Sequence, residues 1–132
     1  MEISTDSYPV NTTKNELYTF LSEVTNFKQI MPENISVFEV IHQDAFKFAL
    51  KGMPEIMLRF EERTASERVV LGSTNEQFPF QLKIEIGGQE EQPTLGLHFS
   101  GSFNAMISMM IKSPLTNFIE TLASKTVNHF SA

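Results

Sequence analysis

Between residues 35 and 101, apolar side chains recur at almost every second position, which is the period of a β-strand with one buried face. Short turn segments such as Gln43–Asp44 and Thr64–Glu67 separate the apolar runs. Parallel neighbours would need crossovers of a dozen or more residues, so the pattern predicts six strands in an antiparallel meander. Along the five clearest strands, the side chains expected to face the core are Phe46, Phe48 and Leu50; Ile56, Leu58 and Phe60; Val69, Leu71 and Ser73; Phe80, Leu82, Ile84 and Ile86; and Leu95, Leu97, Phe99 and Gly101.

The first strand of the meander, Ile35–His42, has two plausible facings. Either Phe38, Val40 and His42 point inward, or Val37, Glu39 and Ile41 do. The first choice is preferred because it does not bury the carboxylate of Glu39.

Two connections contain glycine and proline, which favour turns. Gly52–Met53–Pro54 is predicted to turn the chain after the second strand, and Gly87–Pro93 is predicted as a polar loop before the last strand. The strands on either side of Gly52–Met53–Pro54 are predicted to form a hairpin with one solvent-exposed face. On that face Lys47 or Lys51 can meet Glu55, Arg59 or Glu61 across the strands.

Before the meander, Glu2–Val10 is predicted to form a short strand at a sheet edge. Thr13 and Glu16 then match the capping box, in which each side chain accepts a hydrogen bond from the other residue's backbone N–H. Thr25–Asn26 is predicted to end or interrupt this helix, and Phe27–Met31 to add a second helical piece. The apolar face of the first helix is predicted to be Leu17, Phe20, Leu21 and Val24.

After the meander, Phe103–Phe130 returns to the helical period. Ser113 and Pro114 suit an N-cap and a first helical position, because proline lacks the N–H that would be unpaired there. A break or kink is therefore predicted between Lys112 and Leu115. The buried face of the second piece is predicted to be Leu115, Phe118, Ile119, Leu122, Ala123, Val127 and Phe130.

These elements predict a single α+β domain over residues 1–132, with about seven strands, one or two short helices after the first strand and a long C-terminal helix. Their order resembles the helix-grip fold of the START-like, SRPBCC superfamily, whose members include polyketide cyclase-like proteins and the major birch pollen allergen. The segments that carry the resemblance are Val10–Leu21, Phe27–Pro32 and Pro114–Ile119.

The resemblance implies a curved antiparallel sheet around the C-terminal helix, with a hydrophobic cavity between them. Relatives bind lipids, sterols, quinones or polyketides, catalyse cyclisation or dehydration, or act through protein contacts. The chain departs from the plant allergen branch because its turn at Gly52–Met53–Pro54 and the loop after Thr64 have no glycine-rich phosphate-type sequence. The ligands of that branch are therefore not carried over.

The amino-acid composition excludes or disfavours several classes of site and partner. Twelve of the fourteen aromatic residues are Phe, which predicts a large and purely apolar interior. The absence of Cys excludes disulfides and thiolate metal sites, and the net charge of −6 disfavours nucleic acid and anionic membrane surfaces. The acidic N-terminus does not have the form of a signal peptide, and Phe103–Ile111 is too short to span a bilayer. A cytoplasmic protein without integral membrane contact is expected.

Three methionines, Met106, Met109 and Met110, make the start of the last helix more apolar than one buried face requires. They either fill gaps in the core or face a cavity or a partner subunit. Together with the inward faces of the strands they predict a ligand-binding set: Phe38, Phe46, Phe48, Phe60, Phe80, Leu82, Leu97, Phe99, Met106, Met110, Phe118 and Leu122.

The polar residues indicate no catalytic or metal site. The histidines His42, His98 and His129 lack metal-type spacing, and the acidic pairs Glu61–Glu62 and Glu90–Glu91 are expected to be solvated. No catalytic residue and no cofactor are predicted. The residues that could provide a hydrogen bond to a ligand, or could equally be turn and capping residues, are Ser73, Asn75 and Asn104.

The leading hypothesis is a non-enzymatic protein that binds a small hydrophobic ligand, such as a lipid, quinone or polyketide-like molecule, between sheet and C-terminal helix. One alternative is an enzyme of the cyclase or dehydratase type, which needs an inward acid or base with a displaced pKa. Another is a ligand-free interaction module. The oligomeric state stays open, and a homodimer is one option.

Overall fold

In the computed structural model, which describes residues 1–51, 53, 55–74 and 79–131, an antiparallel sheet of eight strands packs against a 25-residue C-terminal helix. The predicted α+β class and the meander are confirmed. The spatial strand order is β1–β8–β7–β6–β5–β4–β3, and β2 also pairs with β8. In chain order the elements are β1 Glu2–Ser4, β2 Tyr8–Pro9, α1 Lys14–Leu21, a 3₁₀ helix Val24–Ile30, β3 Ile35–His42, β4 Ala45–Leu50, β5 Ile56–Thr64, β6 Arg68–Ser73, β7 Phe80–Gln89, β8 Gln92–Gly101 and α2 Ala105–His129.

The predicted first strand is divided into two pieces, β1 and β2, and both pair with β8. Thr5 joins the pieces, because its backbone N–H donates to the Leu97 carbonyl (2.9 Å) while its hydroxyl accepts from the Leu97 N–H (3.0 Å). The side-chain bond takes the place of a ladder bond where the strand is interrupted. β1 forms one edge of the sheet, as predicted.

Helix α1 begins as predicted but ends earlier. The Thr13 hydroxyl accepts from the Glu16 N–H (3.1 Å), while the Glu16 carboxylate accepts from the Thr12 hydroxyl (2.5 Å) rather than from the Thr13 backbone. The α-helix stops at Leu21, so Val24 belongs to the 3₁₀ helix, although it is buried as expected. The Asn26 side-chain amide donates to the Phe20 carbonyl (2.9 Å), which satisfies one of the acceptors that a helix end leaves open.

Neither predicted facing of β3 is correct along its whole length. Phe38 does turn toward the core and stacks on Phe46 with ring centroids 5.3 Å apart. Val40 and Ile41 are 41% and 43% exposed, and His42 is exposed as well. The reason is tertiary, because β3 is the other edge of the sheet and its register shifts between Val40 and His42, so alternation no longer selects a buried face.

The predicted loop at Gly87–Pro93 is wrong. Strand β7 continues to Gln89, a two-residue turn at Glu90–Glu91 follows, and β8 begins at Gln92. Gly88 has φ of 74°, a conformation that favours glycine, and a Cβ there would clash with the Gln92 carbonyl oxygen. Glycine therefore allows β7 and β8 to pair closely at this point. Because glycine has a low strand propensity, the sequence pattern predicted a loop instead.

Helix α2 runs continuously from Ala105 to His129 with Pro114 inside it, so the predicted break is wrong and Ser113 is not an N-cap. A kink in the continuous helix stays a prediction. The N-cap is Asn104, whose side-chain oxygen accepts from the Ile107 N–H (2.9 Å). An interior proline costs about 3 kcal/mol. Burial of the face that follows it offsets this cost.

The core lies between one face of the sheet and the helices, namely α1, the 3₁₀ helix and the second half of α2. On α2 the buried residues include Leu115, Phe118, Ile119, Leu122 and Ala123, as predicted, whereas Val127 and Phe130 are half-buried. Every predicted inward Phe, Leu, Ile and Val of β4 to β8 is buried except Phe80, which is half-buried. Among the described residues, no helix is long and apolar enough to cross a membrane.

Candidate functional site

An apolar pocket of about 190 Å³ lies beside the first half of α2, beyond the end of the packed core. Helix α2 contributes one wall, and the starts of β5 and β7 contribute the other, with single residues from the β4–β5 connection and the β8–α2 linker. No described lining side chain contains nitrogen or oxygen. The lining residues are Met53, Ile56, Phe80, Phe103, Ile107, Met110, Ile111 and Leu115.

One wall of the pocket depends on a glycine. Phe103 stacks parallel to Phe99 at 6.3 Å, and Phe99 contacts Phe80 at 5.1 Å. A Cβ at Gly101 would lie 2.6 Å from the Phe103 ring, so glycine makes room for the ring to fold back over the end of the sheet. The Asn104 cap then starts α2 directly after this ring.

The three methionines of α2 face solvent. Met106, Met109 and Met110 are 72%, 82% and 70% exposed, and their spacing of three and four residues places them on one side of the helix. Met110 also lines the pocket, so it forms part of the rim. Such exposure agrees better with methionines that face a cavity or a partner subunit than with methionines that fill gaps in the core.

The predicted ligand-binding residues do not lie together around one cavity. Phe80 and Met110 line the pocket, and Met106 lies on the exposed face of α2. The other nine pack in or against the core: Phe38, Phe46, Phe48, Phe60, Leu82, Leu97, Phe99, Phe118 and Leu122.

Six lining residues were absent from the predicted set: Met53, Ile56, Phe103, Ile107, Ile111 and Leu115. A signal for four of them exists in the sequence, because Phe103, Ile107, Ile111 and Leu115 recur every four residues and so mark one side of a helix and its approach. The four residues mark one side of the same helix only if that helix continues through Pro114. Because a break was predicted there, the spacing was not recognised as one face.

The histidines lie in separate places outside the pocket lining. On the outer face of the sheet, Nδ1 of His98 lies 3.0 Å from the Ser4 hydroxyl oxygen. The His129 ring packs on Phe20 at 4.2 Å, and Nδ1 of His42 accepts from the Asp44 N–H (3.1 Å). Among the described residues, no group of three His, Asp or Glu side chains could hold a metal ion.

The polar candidates are partly explained by the fold. Asn104 is the N-cap of α2, and Ser73 is half-buried at the end of β6. Asn75 lies outside the described residues. The acidic pairs Glu61–Glu62 and Glu90–Glu91 are exposed, as predicted.

The groups with shifted pKa values, Lys47 and Glu62, are not part of the pocket lining. A hydrogen bond to Glu39 (3.2 Å), followed by the charge of Glu55 (3.8 Å), raises the pKa of Lys47. A hydrogen bond from the Thr64 hydroxyl (2.6 Å) lowers the pKa of Glu62, whose carboxylate also pairs with a neighbouring arginine. The predicted Lys47–Glu55 pair is confirmed, and these ion pairs stabilise strand neighbours.

No family model matches the sequence, and no curated protein matches it. Solved structures match it along almost its whole length. A conserved protein from Geobacillus kaustophilus has a TM-score of 0.73 and 15% identity, covering 98% of this chain and 95% of its own. A START superfamily protein from Mycobacterium smegmatis has a TM-score of 0.69 and 10% identity, covering 98% and 99%. The Aha1 dimer from Colwellia psychrerythraea has a TM-score of 0.63 and 13% identity, covering 96% of both chains. At these identities the likeness shows a shared fold.

Proposed function

Because the chain has the START-like fold, we propose that it binds the apolar part of a small hydrophobic ligand in the pocket beside the first half of α2. The observation that carries the proposal is a lining made only of carbon and sulfur side chains around about 190 Å³ of space. Such a lining favours apolar guests, because any polar group placed inside would lose its hydrogen bonds to water.

The volume of the pocket limits the size of the ligand group that can enter it. An apolar cavity of about 150 Å³ holds a benzene molecule, whereas pockets for drug-sized ligands occupy about 300–1,000 Å³. A pocket of about 190 Å³ therefore suits a single ring or the end of an acyl chain, with the rest of the molecule outside. A lipid, a quinone with an isoprenoid tail or a polyketide-like molecule has such an apolar end.

The exposed methionines extend this apolar surface beyond the pocket. Met110 forms part of the rim, and Met106 lies one helical turn away on the same side of α2. Methionine is unbranched and polarizable, so it adapts to guests of different shape. We propose that Met106 and Met110 contact the part of the ligand that lies outside.

Indole is a suitable first probe, with dodecanoate as the chain-like probe. The protein contains no tryptophan, so indole emission can be measured selectively when the excitation wavelength lies beyond the absorption of the two tyrosines. At a probe concentration 100 times Kd, binding stabilises the folded state by about 2.7 kcal/mol, which raises Tm by roughly 10 °C for a chain of this length. Neither an emission change nor a Tm shift with either probe would contradict the proposal.

A matched pair of variants locates the binding site. Ile107→Phe places a larger side chain at a half-buried lining position, whereas Met109→Phe makes a similar change at an exposed position of the same helix outside the lining. The first variant should bind indole at least tenfold more weakly, and the second should bind like wild type. Equal binding by both variants would place the ligand elsewhere.

A second candidate function is a protein-interaction module, which is favoured by the three exposed methionines on one side of α2. The Colwellia protein of the same fold is described as a dimer, so a homodimer is the first assembly to test. If the protein is a homodimer, light scattering should give twice the chain mass. The Met109→Glu variant should have the mass of a monomer, and its circular dichroism spectrum should be unchanged. A monomer at all concentrations tested would remove the homodimer.

The proposal contains no catalytic step, because no described lining side chain carries an acid or a base. A cyclase or dehydratase would need such a group within reach of the ligand. We propose the cytoplasm as the location, since a chain without cysteine folds without disulfides and so suits a reducing compartment.

A further inference from the structure

The seven methionines of this protein differ widely in exposure. Met106, Met109 and Met110 are 70–82% exposed, Met1, Met53 and Met57 are half-buried, and Met31 is only 3% exposed in the core. Reagents in water can reach the thioether sulfur of the three exposed methionines but not that of Met31, since oxidation of a side chain follows its exposure. The chain thus contains its own buried reference for any reaction at methionine.

A peroxide converts an exposed methionine to its sulfoxide in one two-electron step. With hydrogen peroxide, the sulfur lone pair attacks one oxygen and an S–O bond forms as the O–O bond breaks. The proton of the transferred oxygen passes to the leaving hydroxide, which departs as water. Sulfur is oxidised and the peroxide is reduced. The product is a polar and chiral side chain of nearly the same length.

At Met110 this change would affect the pocket directly. Its side chain lines a space in which no described side chain offers a hydrogen-bond donor. A sulfoxide oxygen covered by an apolar ligand would lose its hydrogen bonds to water without replacement. Met109, in contrast, does not line the pocket, so its sulfoxide would remain hydrated whether or not ligand is bound.

We propose that Met110 is an oxidant-sensitive position at which conversion to the sulfoxide by a peroxide weakens ligand binding in the apolar pocket. This inference rests on the function proposed above. The pocket then releases its ligand under oxidising conditions, with about tenfold weaker binding, which corresponds to one unpaired polar group at about 1.4 kcal/mol.

The test uses the full chain, dilute hydrogen peroxide and indole as the probe. Peptide mass spectrometry should find one added oxygen at Met106, Met109 and Met110 while Met31 stays unmodified. The oxidant dose is chosen so that Met53, which is half-buried and also lines the pocket, is still intact. Indole binding to this oxidised protein should be about tenfold weaker at unchanged circular dichroism.

Two leucine variants decide whether the effect comes from Met110. Leucine replaces methionine at nearly constant volume and cannot be oxidised by peroxide. Met110→Leu should keep its indole affinity after oxidation, and Met109→Leu should lose affinity as wild type does. The inference is overturned if both variants respond alike, or if oxidised wild type binds as before. Absence of indole binding by untreated protein would instead overturn the proposed function, and the inference with it.

Discussion

Replacing Phe118 by Ala tests whether the space between the sheet and the middle of α2 is filled. Phe118 is 4% exposed, and its ring stacks on Phe48 at 4.9 Å with an interplanar angle of 6°. Truncation of a buried Phe to Ala costs about 3–5 kcal/mol, of which the lost ring contact contributes about 1 kcal/mol. We expect a loss of about 4 kcal/mol, which is a large part of the 5–15 kcal/mol typical of a domain.

Urea unfolding followed by circular dichroism measures this loss. With a denaturant slope of about 1.5 kcal/mol/M, the urea midpoint should fall by roughly 2.5 M. The matched variant is Ile107→Ala, which shortens a half-buried side chain on the same helix where the pocket already leaves space. It should cost only about 1 kcal/mol, because fewer contacts are lost.

If Phe118→Ala costs less than about 2 kcal/mol, or no more than Ile107→Ala, the side chain lacks partners on one side and the middle of α2 faces a cavity. The ligand site would then lie along the predicted set around Phe118 and Leu122 rather than beside the first half of the helix. A changed denaturant slope would point to an altered folded or unfolded state instead of a simple loss of stability.

Arg63→Lys should lower stability by about 1–2 kcal/mol in urea unfolding, because the guanidinium donates twice to the Ser22 carbonyl (3.1 and 3.2 Å) and an ammonium cannot reproduce the fork; no loss would contradict this. Thr64→Val should raise the pKa of Glu62 in an NMR titration. An unchanged pKa would show that the Thr64 hydroxyl is not the main cause of the lowered pKa. Since the folded-state pKa of Glu62 is lowered, its stabilisation is present above the unfolded pKa and is lost as pH falls through the folded pKa, so this variant should differ from wild type near neutral pH and not in strong acid. Pro114→Ala should raise stability by about 1–3 kcal/mol by restoring a helix bond, and a destabilised variant would show that the surrounding packing requires the ring.

Several parts of the fold were predictable because the decisive interactions are local or periodic. Thr13 caps α1 because its hydroxyl lies within reach of an N–H three residues later. Phe46 and Phe48 are buried because alternation on an inner strand leaves only one face for apolar side chains. The order of such elements was sufficient to predict the START-like fold, which the solved structures then confirmed.

Other parts were not predictable, because distant contacts decide them. Pro114 normally marks a helix start, but α2 continues through it, and the residues that follow it are buried against the rest of the domain. Gly88 reads as a loop residue until its partner Pro93 on β8 is placed beside it. The end of β3 has no buried face because that strand became the edge of the sheet.

The antiparallel meander, the capped helix, the long C-terminal helix and the apolar interior were predictable from the residues alone, because hydrophobic period and capping are properties of neighbouring residues. The sequence also showed that three methionines make the start of α2 more apolar than one buried face requires. Which apolar residues fill that interior and which leave space depends on contacts between distant segments. The second half of α2 packs against the sheet, so the space lies beside its first half, where Met110 meets solvent. Whether a side chain fills a core or lines a pocket depends on what lies opposite it, and that partner is distant in the chain.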